Sequence, residues 1–307
     1  MTPTLIARTE TYRFFARLFL LEPDADALEA LRTDVRFAGA LAIDPRELRV
    51  EFTRLFVMNV FPYASVFLDP EVLLNTETTA RVQAKYSAAD FEPARDVPIG
   101  APDHFGVELS FVAHLLSSGR TNAANQFVAS EVLSWAPVFL HGVEKNARQD
   151  FYRILAQQTR HWLLEEIDSS AWDAFMQRRT SHAEFGLRVN EEDDLFSVVS
   201  FLVAPAQSGI FLSKEDLSRI GRTLELPMSF GDRGLMLKSL FRSAGEFDRI
   251  EMLLSALQSE TKGWIDMYAT DSRDNPAADL RLRSWRARAA ETLTRLEKME
   301  LASHAAA

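Results

Sequence analysis

Asp103, His104 and Glu108 place an acid, a base and a second acid within six consecutive positions of this chain. Such groups can move protons or hold a metal, because histidine titrates near neutral pH and ligates zinc or iron. His104 and Glu108 are four apart and share one helix face, a stripe that Phe111 and Leu115 continue. His114 falls about 80° off that stripe at roughly 100° per residue, and no H-E-x-x-H motif occurs, so a metal site is disfavoured. Asp103 suits a helix N-cap, where backbone N–H groups and the helix dipole favour its ionised form. What remains for the trio is a charged pair heading an apolar stripe, fit for a peptide groove or for an ion pair to a neighbouring helix.

Two earlier stretches mix the same ingredients: EFTRLF at 51–56 and FPYASVFLD at 61–69. In the second, Phe61, Tyr63, Phe67 and Leu68 bring large apolar surfaces while Ser65 and Asp69 bring hydrogen bonds. The mixture suits a loop stapled to its own core, or an apolar cleft whose few polar anchors orient an amphipathic peptide. Other chemistries find no support. There is no G-x-S-x-G, no Walker-type phosphate loop and no G-x-G-x-x-G. Gly231-Asp232-Arg233-Gly234 reads as an ordinary turn, and His141, His161 and His182 have no clustered acidic partners at ligand spacing.

The elements that carry these residues are predicted to be helices throughout, since no pair of alternating runs about an Asn-Gly or Asp-Gly turn is present. Thr4 to Leu21 is a core helix whose Tyr12, Phe15, Leu18 and Phe19 share a face. Asp44-Pro45-Arg46-Glu47 opens a helix to about Phe56 with a cap, a proline at the first position and a capping-box acid. An irregular aromatic loop is expected over 57–75, then helices near 76–86, 103–117, 122–133, 135–145, 148–167 and 169–179. These make one helical domain over 1–180, followed by a polar junction at 180–194.

A C-terminal extension over 181–307 is expected to hold helices at 195–203, 214–224, 232–244 and 246–268. Ser213 with Glu215 and Asp216 marks the second of these. Residues 204–209 break the periodicity, 270–278 read as a linker, and the final LASHAAA as frayed. The last helix, near 279–300, sets six basic and two acidic side chains between Arg281 and Lys298 around Leu282, Trp285, Leu293 and Leu296. Such a stripe ordinarily docks on its own protein, with a partner or membrane surface as the alternative. No fixed-period repeat is present.

Composition narrows the classes further. The 307 residues are 47% hydrophobic and 25% charged, ordinary for a soluble globular protein. No apolar run approaches the roughly 18–20 residues that span a bilayer, and the opening MTPTLIARTETYRFF lacks a signal-peptide pattern, so a cytoplasmic location without membrane insertion is expected. The absence of cysteine removes disulfides, thiolate catalysis, cysteine-ligated zinc and iron–sulfur clusters. A net charge of −10 argues against nucleic acid and favours a basic partner. Residues 59–110 carry three Lys or Arg against eight Asp or Glu, half of that net charge, and such a field speeds the approach of an Arg-rich peptide.

In order and spacing, Glu51 to Phe56, Tyr63 to Asp69, Pro102-Asp103-His104 with Glu108-Leu109, and Trp135-Ala136-Pro137 resemble the TorD/DmsD/NarJ family over roughly residues 8–175. Family members are cytoplasmic all-helical chaperones that assemble molybdenum oxidoreductases. The resemblance implies an all-α TorD-like bundle, here with additional C-terminal helices, and no catalytic residues or cofactor of its own. It implies two partners: the twin-arginine signal peptide and the catalytic subunit of a molybdenum redox enzyme, held back from export until the molybdopterin cofactor is inserted. Leu55, Phe56, Tyr63, Ser65, Asp69, Asp103 and His104 carry over as peptide-binding positions, joined by Glu108. Apolar groups would take the signal's apolar segment, while Asp69, Asp103 and Glu108 would attract its arginines. The chain departs from the pattern at Val57-Met58-Asn59-Val60, where the family has a glycine-rich run, and 181–307 match no part of it. Some relatives dimerise, so a homodimer stays open. So do a helical hydrolase or metal-dependent enzyme using Asp103, His104 and Glu108, and a regulatory scaffold.

Overall fold

The computed structural model describes residues 3–37, 39–70, 76–93, 100–166, 195–274 and 276–306. Its regular elements are all helices, joined by one isolated antiparallel bridge between Tyr63 and His104. The fold class is therefore all-α. The backbone divides into two compact units, Met1–Ala183 and Glu184–Ala307.

The first unit contains α1 (Pro3–Leu20), α2 (Ala25–Leu31) and α3 (Pro45–Phe52), the last running into a π-helical turn, Thr53–Val57. After α4 (Ala64–Leu68), α5 (Glu77–Ser87) and α6 (Phe105–Ser117), α7 (Thr121–Phe127) runs into a second π turn, Val128–Val132. It is followed by α8 (Leu133–Asn146) and α9 (Asp150–Glu166). Asp44 caps α3 by accepting from the Arg46 N–H at 2.8 Å, with Pro45 at the first helical position. Asp24 does the same for α2 through the Ala27 N–H, a seven-residue helix too short for its periodicity to stand out. The stretch expected to be irregular over 57–75 instead contains α4, whose start is fixed by a distant residue described below. The helix expected near 169–179 and the junction at 180–194 lie outside the described residues.

The core of this unit is aromatic. Tyr12, Phe15, Leu18 and Phe19 are buried along α1 as the periodicity requires. Phe19 meets the edge of Phe105 at 4.8 Å, Phe105 lies 5.2 Å from Phe139, and Phe67 lies 5.5 Å from Trp135. Gly106 is what lets α6 approach α1, since a Cβ there would stand 2.5 Å from Leu20 Cγ and 2.8 Å from the Ala16 carbonyl oxygen.

The second unit contains α10 (Leu195–Val203), α11 (Pro205–Ser208), α12 (Lys214–Thr223), α13 (Arg233–Glu246), α14 (Ile250–Asp274) and α15 (Pro276–Ala306). Ser213 and Asp216 form a reciprocal capping box on α12. The break at 204–209 is a single helical turn closed by Gly209 at φ +72, a position where a Cβ would come within 2.4 Å of the Ala289 nitrogen. Tyr268 donates to the Gly209 carbonyl at 2.8 Å and Thr292 to the Ser208 carbonyl at 2.7 Å, nailing that turn onto α14 and α15. The expected linker at 270–278 is largely helix, with α14 reaching Asp274 and α15 starting at Pro276. The terminal residues expected to fray continue α15 to Ala306, in keeping with the high helix propensity of alanine. Leu282, Trp285 and Leu296 are buried, so the apolar stripe of α15 docks within its own protein.

Candidate functional site

Asp103 is fully buried, and it is not the cap of the helix that follows it. That cap is His104, whose Nδ1 accepts from the Gly106 N–H at 3.1 Å, so α6 begins two residues later than the sequence suggests. Asp103 instead reaches back to α4. Its Oδ2 accepts from the Ser65 N–H at 2.8 Å, and its Oδ1 accepts from the Thr79 hydroxyl at 3.0 Å. One carboxylate thus satisfies a donor at the start of α4 and grips α5 from the side. Its backbone repeats the bond: the Ala64 N–H donates to the Asp103 carbonyl at 3.0 Å and the Phe105 N–H to the Pro62 carbonyl at 2.8 Å. These two bonds make the Tyr63–His104 bridge.

His104 stacks edge-on to Tyr63 with ring centres 5.1 Å apart, and only 7% of it is exposed. Burial pushes its pKa down to about 3, so the ring is neutral at physiological pH. The expected charged pair of His104 with Glu108 therefore does not form. Glu108 points the other way, its Oε2 accepting from the Trp135 indole N–H at 3.1 Å. Burial, followed by the charges of Glu131 and Asp103, raises its pKa well above the ordinary carboxylate range. The side chains of Asp103, His104 and Glu108 each bond elsewhere rather than to one another, and the described residues contain no group of three or more potential ligands able to hold a metal.

The other five positions are placed as follows. Leu55 and Phe56 lie in the first π turn and are buried, Phe56 packing 5.7 Å from both Phe19 and Tyr152. Ser65 is buried in α4 with no partner for its hydroxyl. Asp69 is half-buried and takes hydroxyls from Thr76 and from Thr78, the latter at 2.6 Å, at the start of α5. Tyr63 is half-buried, its hydroxyl accepting from the Gly100 N–H at 3.0 Å. Glu51 of the same motif is buried, accepting from Arg54 and from the Arg148 N–H at 2.7 Å, which ties the end of α3 to the turn before α9.

Of the eight, then, six are buried and two reach the surface. The surface hollow between α1 and α6, about 380 Å³, is lined by Arg13, Ala16, Arg17, Leu20 and His114 among others, and by none of the eight. The departure at 57–60 splits: Val57 and Met58 are exposed, while Asn59 and Val60 are buried. Sequence reasoning missed Glu131, a buried carboxylate that Arg81 and Lys85 of α5 hold. An isolated acid inside the apolar run from Phe127 to Pro137, with an Arg and a Lys four apart elsewhere, was the available signal.

Comparison with known proteins places this arrangement. The nitrate reductase delta subunit family matches residues 20–141. The chain is 31% identical over 124 residues to the chaperone protein TorD of Actinobacillus succinogenes, covering 38% of this chain and 63% of that protein. It is 32% identical over 101 residues to the Tat proofreading chaperone DmsD of Salmonella typhi, covering 32% and 48%. Over this stretch the chain is similar to the TorD/DmsD/NarJ family. A longer match, 24% identical over 201 residues, covers 54% of this chain and 93% of the TorD of Shewanella piezotolerans. The first three relatives are spanned over only 63%, 48% and 47% of their own lengths. No helix among the described residues is long and apolar enough to cross a membrane.

Proposed function

We propose that this protein is a cytoplasmic assembly chaperone for a molybdopterin-dependent oxidoreductase, and that it binds the twin-arginine signal peptide of the catalytic subunit until the cofactor is in place. The observation that carries this reading is one of position. The stretch shared with the family, residues 20–141, contains all eight positions that the motifs single out.

Their burial divides the work among them. Asp103, His104, Glu108, Ser65, Leu55 and Phe56 hold α4, α5, α6 and the first π turn in register, and Tyr63 and Asp69 present that frame to a peptide. A rigid frame lowers the ordering cost of binding, which is what preorganisation contributes to affinity. The acidity of residues 59–110 adds association rate and register rather than much affinity.

A labelled twin-arginine signal peptide and the full-length protein test the reading by fluorescence anisotropy. Tyr63→Ala is expected to weaken binding by about tenfold, the loss of an aromatic anchor, with an unchanged melting curve. Equal affinity of wild type and Tyr63→Ala would remove Tyr63 from the contact surface. The C-terminal unit is proposed to act on the client beyond the signal, so its role is separable by deletion mapping within the binding assay.

A further inference from the structure

The second π turn aims a carboxylate inward. Glu131 lies in Val128–Val132 and is 4% exposed, although it belongs to a stretch that is otherwise almost wholly apolar. Single π turns recur at functional positions, because the extra residue re-aims a side chain at some cost to the helix. Here the side chain meets two cations from α5. Arg81 Nε lies 3.1 Å from Glu131 Oε2 and Lys85 Nζ lies 2.6 Å from Oε1. The two cations are four residues apart and so occupy one helix face. Their side chains are 44% and 39% exposed, against 5% for that of Glu131.

A second buried carboxyl group feels this pair. Glu108 is wholly buried, and after bonding Trp135 its Oε1 has no hydrogen-bond partner. Burial and then the charges of Glu131 and Asp103 raise its proton affinity, against a smaller opposing effect of Arg81, so Glu108 lies within the field of the pair. One buried carboxyl oxygen thus has no hydrogen-bond partner. In this bridge the acid is buried while the side chains of both bases are about two-fifths exposed. A guanidinium arriving from outside brings five donors in a planar fork that can take both oxygens of a carboxylate. Arg81 and Lys85, once displaced, regain hydration.

We propose that Glu131 is the carboxylate that accepts an arginine of the bound peptide, and that Arg81 and Lys85 occupy it in the empty protein and yield to the peptide's cationic pair. This rests on the signal-peptide reading and names the subsite within it. The arrangement is a built-in competitor: it keeps the buried carboxylate paired when no client is present, and it makes a single cation a poorer ligand than two.

The experiment compares full-length variants binding a labelled twin-arginine peptide and its Gln-Gln counterpart. The Arg81→Gln/Lys85→Gln protein is expected to bind the twin-arginine peptide about tenfold more tightly than wild type, with little change for the Gln-Gln peptide. A control, Arg13→Gln/Arg32→Gln, removes the same charge from exposed positions of the same unit and is expected to change affinity by less than about twofold. Glu131→Gln is expected to bind both peptides alike. The proposal is overturned if the Arg81/Lys85 variant binds no more tightly than the control, or if Glu131→Gln keeps its preference for arginine. Should Glu131→Gln fail to fold, the Arg81/Lys85 comparison decides alone. Wild type that does not distinguish the two peptides would instead overturn the signal-peptide reading itself.

Discussion

Asp103 and Glu131 are both buried carboxylates in the family-matched stretch, yet their surroundings differ in kind. Asp103 is wholly engaged by uncharged donors of the fold, the Ser65 backbone and the Thr79 hydroxyl. Glu131 is held by two charged side chains that are themselves about two-fifths exposed. The first arrangement can release its partners only by undoing α4 and α5. The second can release them by side-chain rotation. A motif residue can thus be indispensable as a frame, while the residue equipped to meet a charged ligand lies where no motif points.

Asp103→Ala would sharpen this contrast with the largest effect. It leaves a buried N–H and a buried hydroxyl without an acceptor and is expected to cost about 3 kcal/mol in chemical denaturation. Asp103→Asn, which keeps one acceptor, should cost much less, and equal stability of all three proteins would refute the bracket. His104 adds a pH signature. Its folded pKa of about 3 lies below the ordinary 6.5, so the unfolded state binds the proton first and stability falls as pH drops from 6.5 toward 3. His104→Asn can still cap α6 but cannot titrate, and its acid limb in thermal melts is expected to be flatter than that of wild type.

Glu108 has the opposite sign. Its folded pKa is raised, so the stability its neutral form contributes is present below the ordinary carboxylate value and is lost as pH climbs toward the folded value. Glu108→Gln should therefore gain on wild type as pH rises from the ordinary carboxylate range toward neutrality. A constant difference across that range would mean that Glu108 is ionised in the fold. Glu131→Gln is expected to cost less stability than Asp103→Ala, because Arg81 and Lys85 are already about two-fifths exposed and regain water once freed. A loss as large as that of Asp103→Ala would erase the distinction between frame and exchangeable pair.

Much of the fold was legible because its signals are local. Asp44-Pro45, Ser213 with Asp216, and the Tyr12–Phe15–Phe19 stripe each declare a helix within a few residues. The site was less legible, since what a polar residue caps is decided by tertiary structure. Asp103 stands beside α6 in sequence but serves α4 and α5, and the Glu131 pair joins residues 46 and 50 positions apart. Nothing local distinguishes a helix N-cap from a bracket to a helix almost 40 residues earlier. The expected linker at 270–278 failed for a related reason: the polar residues read there as a linker lie along two helices whose buried Tyr268 and Leu282 hold them in the unit.

The central claim is most directly tested by titration calorimetry of the full-length protein with twin-arginine signal peptides from molybdenum-enzyme subunits of the same cell. Saturable binding of one such peptide, abolished when both arginines are changed to glutamine, is the expected result. No heat with any of them, from protein that melts cooperatively, would contradict it.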